Sequence, residues 1–182
     1  MMTSSAPHNG VLDRAETERT SVDLLLRLRA DPATRVLVLH GDQAPLDGRA
    51  LRWSAPASAP VDAHWAFLGR DEAGVAHLVA AAPNDSEVPE GESWVALRVI
   101  GGELRAQDSD AFATGVSLGR WLSETRYCPA CGGVTDVHKA GWARLCPDCG
   151  REHFPRTDPA VIVAVSSTDH ERLLLGSNAL WG

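Results

Sequence analysis

All four cysteines of the chain lie in one short stretch, "CPACGGVTDVHKAGWARLCPDCG". They form two pairs, Cys128 with Cys131 and Cys146 with Cys149, and two residues separate the members of each pair. Such a spacer lets one tight turn present two thiolates to the same ion, and Zn²⁺ prefers four such sulfurs arranged as a tetrahedron. The doubled spacing therefore predicts one zinc site with these four ligands.

The type of cysteine site depends on the redox compartment. The start, "MMTSSAPHNG", has neither the basic nor the apolar region of a secretory signal, and no apolar run reaches the length of a membrane span. We therefore expect a cytoplasmic protein without a membrane partner, in which reduced cysteines bind metal more often than they form disulfides. Two disulfides, an iron–sulfur site and uncommitted core cysteines remain the alternatives.

A four-cysteine zinc site leaves no open coordination position, so the expected role of Zn²⁺ is structural. The 14 residues between the pairs should form a β-hairpin covered by Trp142 and Leu145, which is the arrangement of a zinc ribbon. Because four thiolates already satisfy the ion, we expect the nearby His138 and His153 to be solvated rather than ligands.

Charge argues against nucleic acid as a general partner. The chain has 182 residues and a formal net charge of -7. Between the residues numbered 127 and 155, the three positive side chains of Lys139, Arg144 and Arg151 are balanced by three negative ones. Non-specific binding to phosphates requires an excess of Lys and Arg, so a nucleic-acid-reading zinc ribbon is the less favoured interpretation.

Elements that could position the ribbon precede it, and the pattern predicts an α+β fold. Residues 1–18 lack periodicity and are expected to form a flexible tail. A short helix capped by Ser21 should follow, then the strand "RVLVLHGD", a hairpin in "HWAFLGRDEAGVAHLVAAAP" and a third strand in "SWVALRVIGGEL". Residues 19–126 thus form a small mixed α/β domain in this interpretation, with its tryptophans as packing residues.

A longer helix, "DSDAFATGVSLGRWLSETR", leads into the cysteines. Gly115 and Gly119 lie on its apolar face, where the missing side chains would let a neighbouring backbone approach closely.

Three segments resemble the NADH pyrophosphatase, or NAD(H) diphosphatase, branch of the Nudix hydrolases: "GRWLSETRYCPACGG", "GWARLCPDCGREHFPRTDPAVIVAV" and "RLLLGSNALWG". The match is specific over residues 98–182. It implies an N-terminal domain over 19–126, a zinc ribbon over 127–155 and, over 156–182, the first β-hairpin of a Nudix α/β/α fold.

The resemblance implies an enzyme that hydrolyses the pyrophosphate of NADH or NAD⁺ to nicotinamide mononucleotide and AMP. Glutamates of the Nudix box would hold Mg²⁺ or Mn²⁺, and some members remove NAD caps from RNA. After Glu124, however, only Glu152 and Glu171 remain, and no box motif is present. We therefore expect a chain truncated before the box, with no catalytic residue of its own, that is inactive alone. The alternative is a non-catalytic zinc-ribbon interaction module.

The same resemblance assigns two substrate-binding residues. Phe154 matches an aromatic residue that stacks on the substrate base, and Arg98 resembles an arginine that contacts substrate. Gly141 occupies a position where the family can have an acidic contact, which is missing here. The alternatives are that Phe154 caps the core of the ribbon and Arg98 is a surface strand residue. An apolar hairpin over residues 160–175 would form a homodimer contact or aggregate.

Overall fold

The computed structural model describes residues 12–83, 86, 88–89, 93–156 and 163–174. Its helices are α1 (Leu24–Ala30), α2 (Leu97–Ile100) and α3 (Ala106–Glu124). Its strands are β1 (Arg35–Leu39), β2 (Gln43–Asp47), β3 (Ala50–Leu51), β4 (His64–Arg70), β5 (Ala76–Ala81), β6 (Trp94–Ala96), β7 (Asp136–His138), β8 (Ala143–Leu145) and β9 (Glu152–His153). The α+β class predicted from the sequence is confirmed.

A three-stranded sheet of order β1-β5-β4 forms the centre of the N-terminal domain. β1 runs parallel to β5, and β4 and β5 form the expected antiparallel hairpin. Side chains alternate between its two faces: Leu37 and Leu39 contribute to one buried cluster, while Val36 and Val38 contribute to the other. Because α3 packs on the first face and α1 on the second, the sheet lies between two helical layers.

The long helix α3 approaches the sheet closely at its two glycines, as predicted. A Cβ atom on Gly115 would lie 3.3 Å from a methyl group of Val79, and one on Gly119 would lie 2.7 Å from the Cβ of Ala81. Since a Cβ at the second position would overlap β5, Gly119 sets the spacing between helix and sheet.

The tryptophans of the N-terminal domain are packing residues, as expected. Trp65 is buried in the cluster on the α1 side, and Trp94 packs against it. Trp53 and Trp121 pack against the cluster on the α3 side. The cap expected for α1 is wrong, because Asp23 rather than Ser21 immediately precedes the helix and no side chain caps its N-terminus.

The described part of the expected tail is packed against the domain. Leu12 is only 3% exposed, and the backbones of Asp13 and Arg70 exchange two hydrogen bonds of 2.8 Å. Arg14 donates to the carbonyl of Leu68 and to the carboxylate of Asp110. The expectation of a flexible tail therefore does not hold for residues 12–18, because long-range contacts fix a segment that has no periodicity of its own.

The third predicted strand is shorter than expected. β6 has three residues and pairs with β2, and the chain then turns into α2, where the amide of Gly101 donates to the carbonyl of Leu97 at 2.8 Å. The β-branched residues of "RVI" favour a strand, but the tertiary context overrides this local preference.

The expected hairpin after the ribbon is present in its described part. Ser166 and Leu173 form an antiparallel bridge, and the amide of Leu174 donates to the carbonyl of Val165 at 2.8 Å. Val163, Val165, Leu173 and Leu174 are exposed. The rest of the predicted hairpin, residues 157–162 and 175–182, lies outside the described residues.

Among the helices that the structure describes, none combines the length and the apolar composition that a membrane crossing requires.

Candidate metal centre and the adjoining groove

The four cysteines converge at one point, as the spacing predicts. Their sulfur atoms all lie within 4.8 Å of one another. The Sγ atoms of Cys128 and Cys149 are 3.6 Å apart, and those of Cys131 and Cys146 are 3.5 Å apart. A zinc tetrahedron with bonds of about 2.3 Å requires sulfur separations of about 3.8 Å, whereas a disulfide requires about 2.05 Å. The donor set and its spacing fit Zn²⁺ and do not fit disulfides.

Each pair of cysteines lies in a tight turn of the same construction. The amide of Gly132 donates to the carbonyl of Cys128 at 2.8 Å, and the amide of Gly150 donates to that of Cys146 at 2.9 Å. Both glycines have a positive φ, 78° and 70°. Glycine tolerates this left-handed conformation because it has no Cβ, so the repeated "CPxCG" pattern encodes the two turns.

The thiols differ in acidity. Burial raises the pKa of Cys128, but hydrogen bonds from the backbone of Ala130 and Cys131 and from His153 outweigh it and bring this pKa to about 6. The backbone of Gly133 lowers the pKa of Cys131, but contacts with the neighbouring thiols raise it to about 12. Cys128 therefore ionises more readily than Cys131, and metal binding must release the proton of Cys131.

The sheet of the ribbon has the order β7-β8-β9, so the predicted hairpin between the cysteine pairs is confirmed. The predicted cover of this hairpin is wrong. Trp142 points to the N-terminal domain, where its indole Nε1 donates to the carbonyl of Phe67 at 2.6 Å, and Leu145 is exposed. A buried hydrogen-bond donor needs a partner, and Trp142 finds it across the domain junction.

A tight backbone contact lies beside Trp142. Lys139, Ala140 and Gly141 have φ values of 47°, 50° and 92°. A Cβ on Gly141 would lie 2.4 Å from the Cβ and 2.6 Å from the Cα of Ala66 in β4. This left-handed turn of the ribbon thus rests directly on the central sheet.

A buried arginine forms a second junction. Arg144 is 5% exposed, and its guanidinium donates to the hydroxyl of Thr135 at 2.7 Å and to the carbonyl of Leu122 at 3.1 Å. Leu122 is in the last turn of α3, where the partial negative charge of the helix favours a cation. The ribbon and the N-terminal domain are therefore connected through Trp142, the turn at Gly141 and Arg144. The sequence alone does not indicate that these residues make contacts between the two domains.

A groove of about 540 Å³ opens between the ribbon, α3 and the N-terminal segment. Its lining combines apolar, hydroxyl and charged side chains: Glu16, Arg19, Thr20, Ala113, Thr114, Ser117, Leu118, Lys139, Trp142, Phe154 and Pro155.

Cations lie over two aromatic rings of this groove. The guanidinium carbon of Arg19 is 4.3 Å from the ring centroid of Trp142, and the Nζ of Lys139 is 4.9 Å from that of Phe154. Phe154 is 52% exposed and does not cap the core of the ribbon. The groove thus presents an aromatic surface beside positive charge, and nothing in the local sequence around Arg19 indicates its place there.

The two substrate residues implied by the resemblance do not share this groove. Arg98 is in α2, not in a strand, and its guanidinium is 3.3 Å from the carboxylate of Asp42. Its side chain is 80% exposed, and Arg98 is not among the groove residues, whereas Phe154 is. Their assignment as substrate contacts stays a prediction.

The two histidines near the cysteines have different surroundings. His138 lies 3.6 Å from the carboxylate of Glu152, and His153 places its Nε2 atom 3.2 Å from the Sγ of Cys128. Neither belongs to the cluster of four possible metal ligands. The expectation that both are solvated is therefore incomplete, because His153 contacts a metal-binding sulfur.

Comparison with known proteins identifies the ribbon. The profile of the NADH pyrophosphatase zinc ribbon domain matches residues 123–154, which include all four cysteines. The chain carries the zinc ribbon of the NADH pyrophosphatase family.

Relatives extend this similarity beyond the ribbon. The chain is 33% identical over 181 residues to the NAD-capped RNA hydrolase NudC of Mycobacterium tuberculosis, covering 93% of this chain and 55% of the relative. It is 33% identical over 87 residues to NudC of Stutzerimonas stutzeri, covering 46% and 30%, and 33% identical over 82 residues to the NAD-capped RNA hydrolase NUDT12 of Homo sapiens, covering 41% and 18%. The chain thus spans about half the length of its mycobacterial relatives.

Proposed function

We propose that this chain supplies the N-terminal and zinc-ribbon part of an NAD(H) diphosphatase. The reaction is hydrolysis of the pyrophosphate bond of NADH or NAD⁺ to nicotinamide mononucleotide and AMP, and NAD-capped RNA is a further substrate. The names of the relatives, NAD-capped RNA hydrolases, support this proposal.

The observation that carries the proposal is the groove beside the zinc ribbon. Phe154 presents a half-exposed aromatic ring at this groove, and Arg19 and Lys139 lie over its rings. A nucleotide base stacks on such a ring, and its phosphates are attracted to the guanidinium of Arg19, since Lys139 is already paired with Glu152. We assign Phe154 to the base and keep Arg98 as a contact to another part of the substrate.

The chemical step requires more than this chain contains. Mg²⁺ or Mn²⁺ would polarise the phosphate and generate hydroxide, and both ions prefer several carboxylates. The Nudix box would supply these carboxylates as glutamates, but the only glutamates after Glu124 are Glu152 and Glu171, and Glu152 is paired with Lys139 at 2.8 Å. We therefore assign the catalytic carboxylates to a Nudix domain and expect the 182-residue chain alone to bind substrate without hydrolysing it.

One experiment tests binding and hydrolysis together. The zinc-loaded chain is dialysed against NAD⁺ with Mg²⁺, and bound nucleotide and products are quantified. We expect binding without formation of AMP, and Phe154→Ala should weaken binding about tenfold because one stacking contact is lost. Phe154→Tyr is the control, since it keeps the ring.

Three outcomes of this experiment would contradict the proposed function. Absence of NAD⁺ binding would favour a non-catalytic interaction module. Equal binding by the Phe154→Ala variant would remove the groove from the substrate site, and turnover by the chain would disprove its catalytic incompleteness.

We also propose a homodimer, in the cytoplasm, formed through the apolar hairpin of residues 163–174. Its exposed valines and leucines support this assignment, since a strand edge with apolar side chains favours pairing with another copy. Size-exclusion chromatography with light scattering should give twice the mass of one chain for the unmodified protein. The Val165→Lys variant should give the mass of a single chain. An unmodified chain that stays monomeric at high concentration would contradict the proposed homodimer.

A further inference from the structure

The second cysteine turn is followed by a histidine that reaches back to the first. His153 is the second residue of β9, and β9 pairs with β8 so that His153 lies opposite Arg144. This pairing places the imidazole Nε2 3.2 Å from the Sγ of Cys128. The side chain therefore links a strand that follows Cys149 to the turn that contains Cys128.

The contact is not metal ligation. The atoms that could hold an ion together are the four sulfurs, and the histidine nitrogen is not among them. A thiolate that binds Zn²⁺ has no proton and can only accept a hydrogen bond. The Nε2 atom must then be the protonated nitrogen of the ring, and it donates to the sulfur.

Burial explains why Cys128 needs this donor. Cys131 and Cys149 are exposed to solvent, whereas Cys128 and Cys146 are buried, and of the two buried sulfurs Cys128 is the one that His153 contacts. A buried charge is costly unless the protein supplies hydrogen bonds to it. His153 is only half-buried, but its Nε2 reaches the sulfur that water does not.

We propose that His153 is a positioning residue of the zinc site, which donates an N–H···S hydrogen bond to Cys128 and thereby retains the metal. The bond holds the Cys128 side chain in place and withdraws electron density from its sulfur. Partners outside the ligand set commonly tune a metal site in this way.

The test compares donor and non-donor side chains in the full 182-residue chain. His153→Phe and His153→Met remove the donor, His153→Gln keeps an N–H group, and His138→Phe is a control in the same ribbon. Two quantities are measured: the rate of zinc transfer to a chromophoric chelator, and the energy of the sulfur-to-cobalt charge-transfer band after Co²⁺ replaces Zn²⁺.

We expect both non-donor variants to lose zinc about tenfold faster, a typical effect for a residue that supports a ligand. Their cobalt band should move to longer wavelength, because a sulfur without the hydrogen bond donates charge more readily. His153→Gln should largely restore both values, and His138→Phe should change neither. If the non-donor variants lose zinc faster but their cobalt band does not move, and His153→Gln does not restore the rate, then His153 acts only through packing. Unchanged values in the non-donor variants would disprove the hydrogen bond.

Discussion

Removal of zinc is expected to unfold the ribbon while the N-terminal domain stays folded. Binding of a structural Zn²⁺ is linked to about 10–16 kcal/mol of folding free energy, and three strands of two or three residues cannot replace it with a core of their own. The central sheet, in contrast, has a buried cluster on each face. Hydrogen exchange measured by mass spectrometry should show lost protection over residues 127–154 after treatment with a strong chelator.

Unfolding of the ribbon should also increase hydrogen exchange in the elements of the N-terminal domain that contact it. Trp142 and Arg144 bond to the carbonyls of Phe67 and Leu122, so faster exchange is expected in β4 and at the end of α3. Cys146→Ser, which removes a buried ligand, should reproduce both effects, and chelator presaturated with zinc is the control. An unchanged exchange pattern in material shown to be metal-free would contradict a structural role of the metal.

Substitution of Gly141 by alanine should have the second largest effect. Its φ of 92° is unfavourable for any residue with a Cβ, which costs about 1–2 kcal/mol. The added carbon would lie 2.6 Å from the Cα of Ala66 and 2.8 Å from the carbonyl oxygen of Trp65. These are backbone atoms of a central strand and cannot yield, so overpacking adds about 1–3 kcal/mol.

Gly74→Ala is the matched control for this substitution. Gly74 has a φ of 80°, but no atom lies within 4 Å of its Cβ position. It therefore reports the conformational cost alone. Thermal unfolding with zinc in excess should give a loss of about 10 °C for Gly141→Ala and about 4 °C for Gly74→Ala, at roughly 2–4 °C per kcal/mol. Equal losses in the two variants would mean that the ribbon does not rest on β4.

The zinc site was predictable from the sequence because its geometry is local. Each "CPxCG" turn spans five residues, and its glycine is required by a positive φ at Gly132 and Gly150. The packing of α3 was predictable for a similar reason, since Gly115 and Gly119 lie on the apolar face that the helical period defines.

What the sequence could not reveal depends on partners far along the chain. Trp142 finds its acceptor 75 residues away, and Arg14 pairs with Asp110 at a separation of 96 residues. No periodicity relates such residues, so the packed segment of residues 12–18 and the docking of the ribbon required the structure. His153 was also missed, because its spacing from Cys149 gives no sign that it contacts Cys128 of the other turn.

Native mass spectrometry of the purified, reduced chain can show whether the four cysteines bind zinc. We expect one Zn²⁺ per chain, with four free thiols recovered after denaturation in a chelator. A chain that carries no zinc, or whose four cysteines are joined as disulfides, would contradict it.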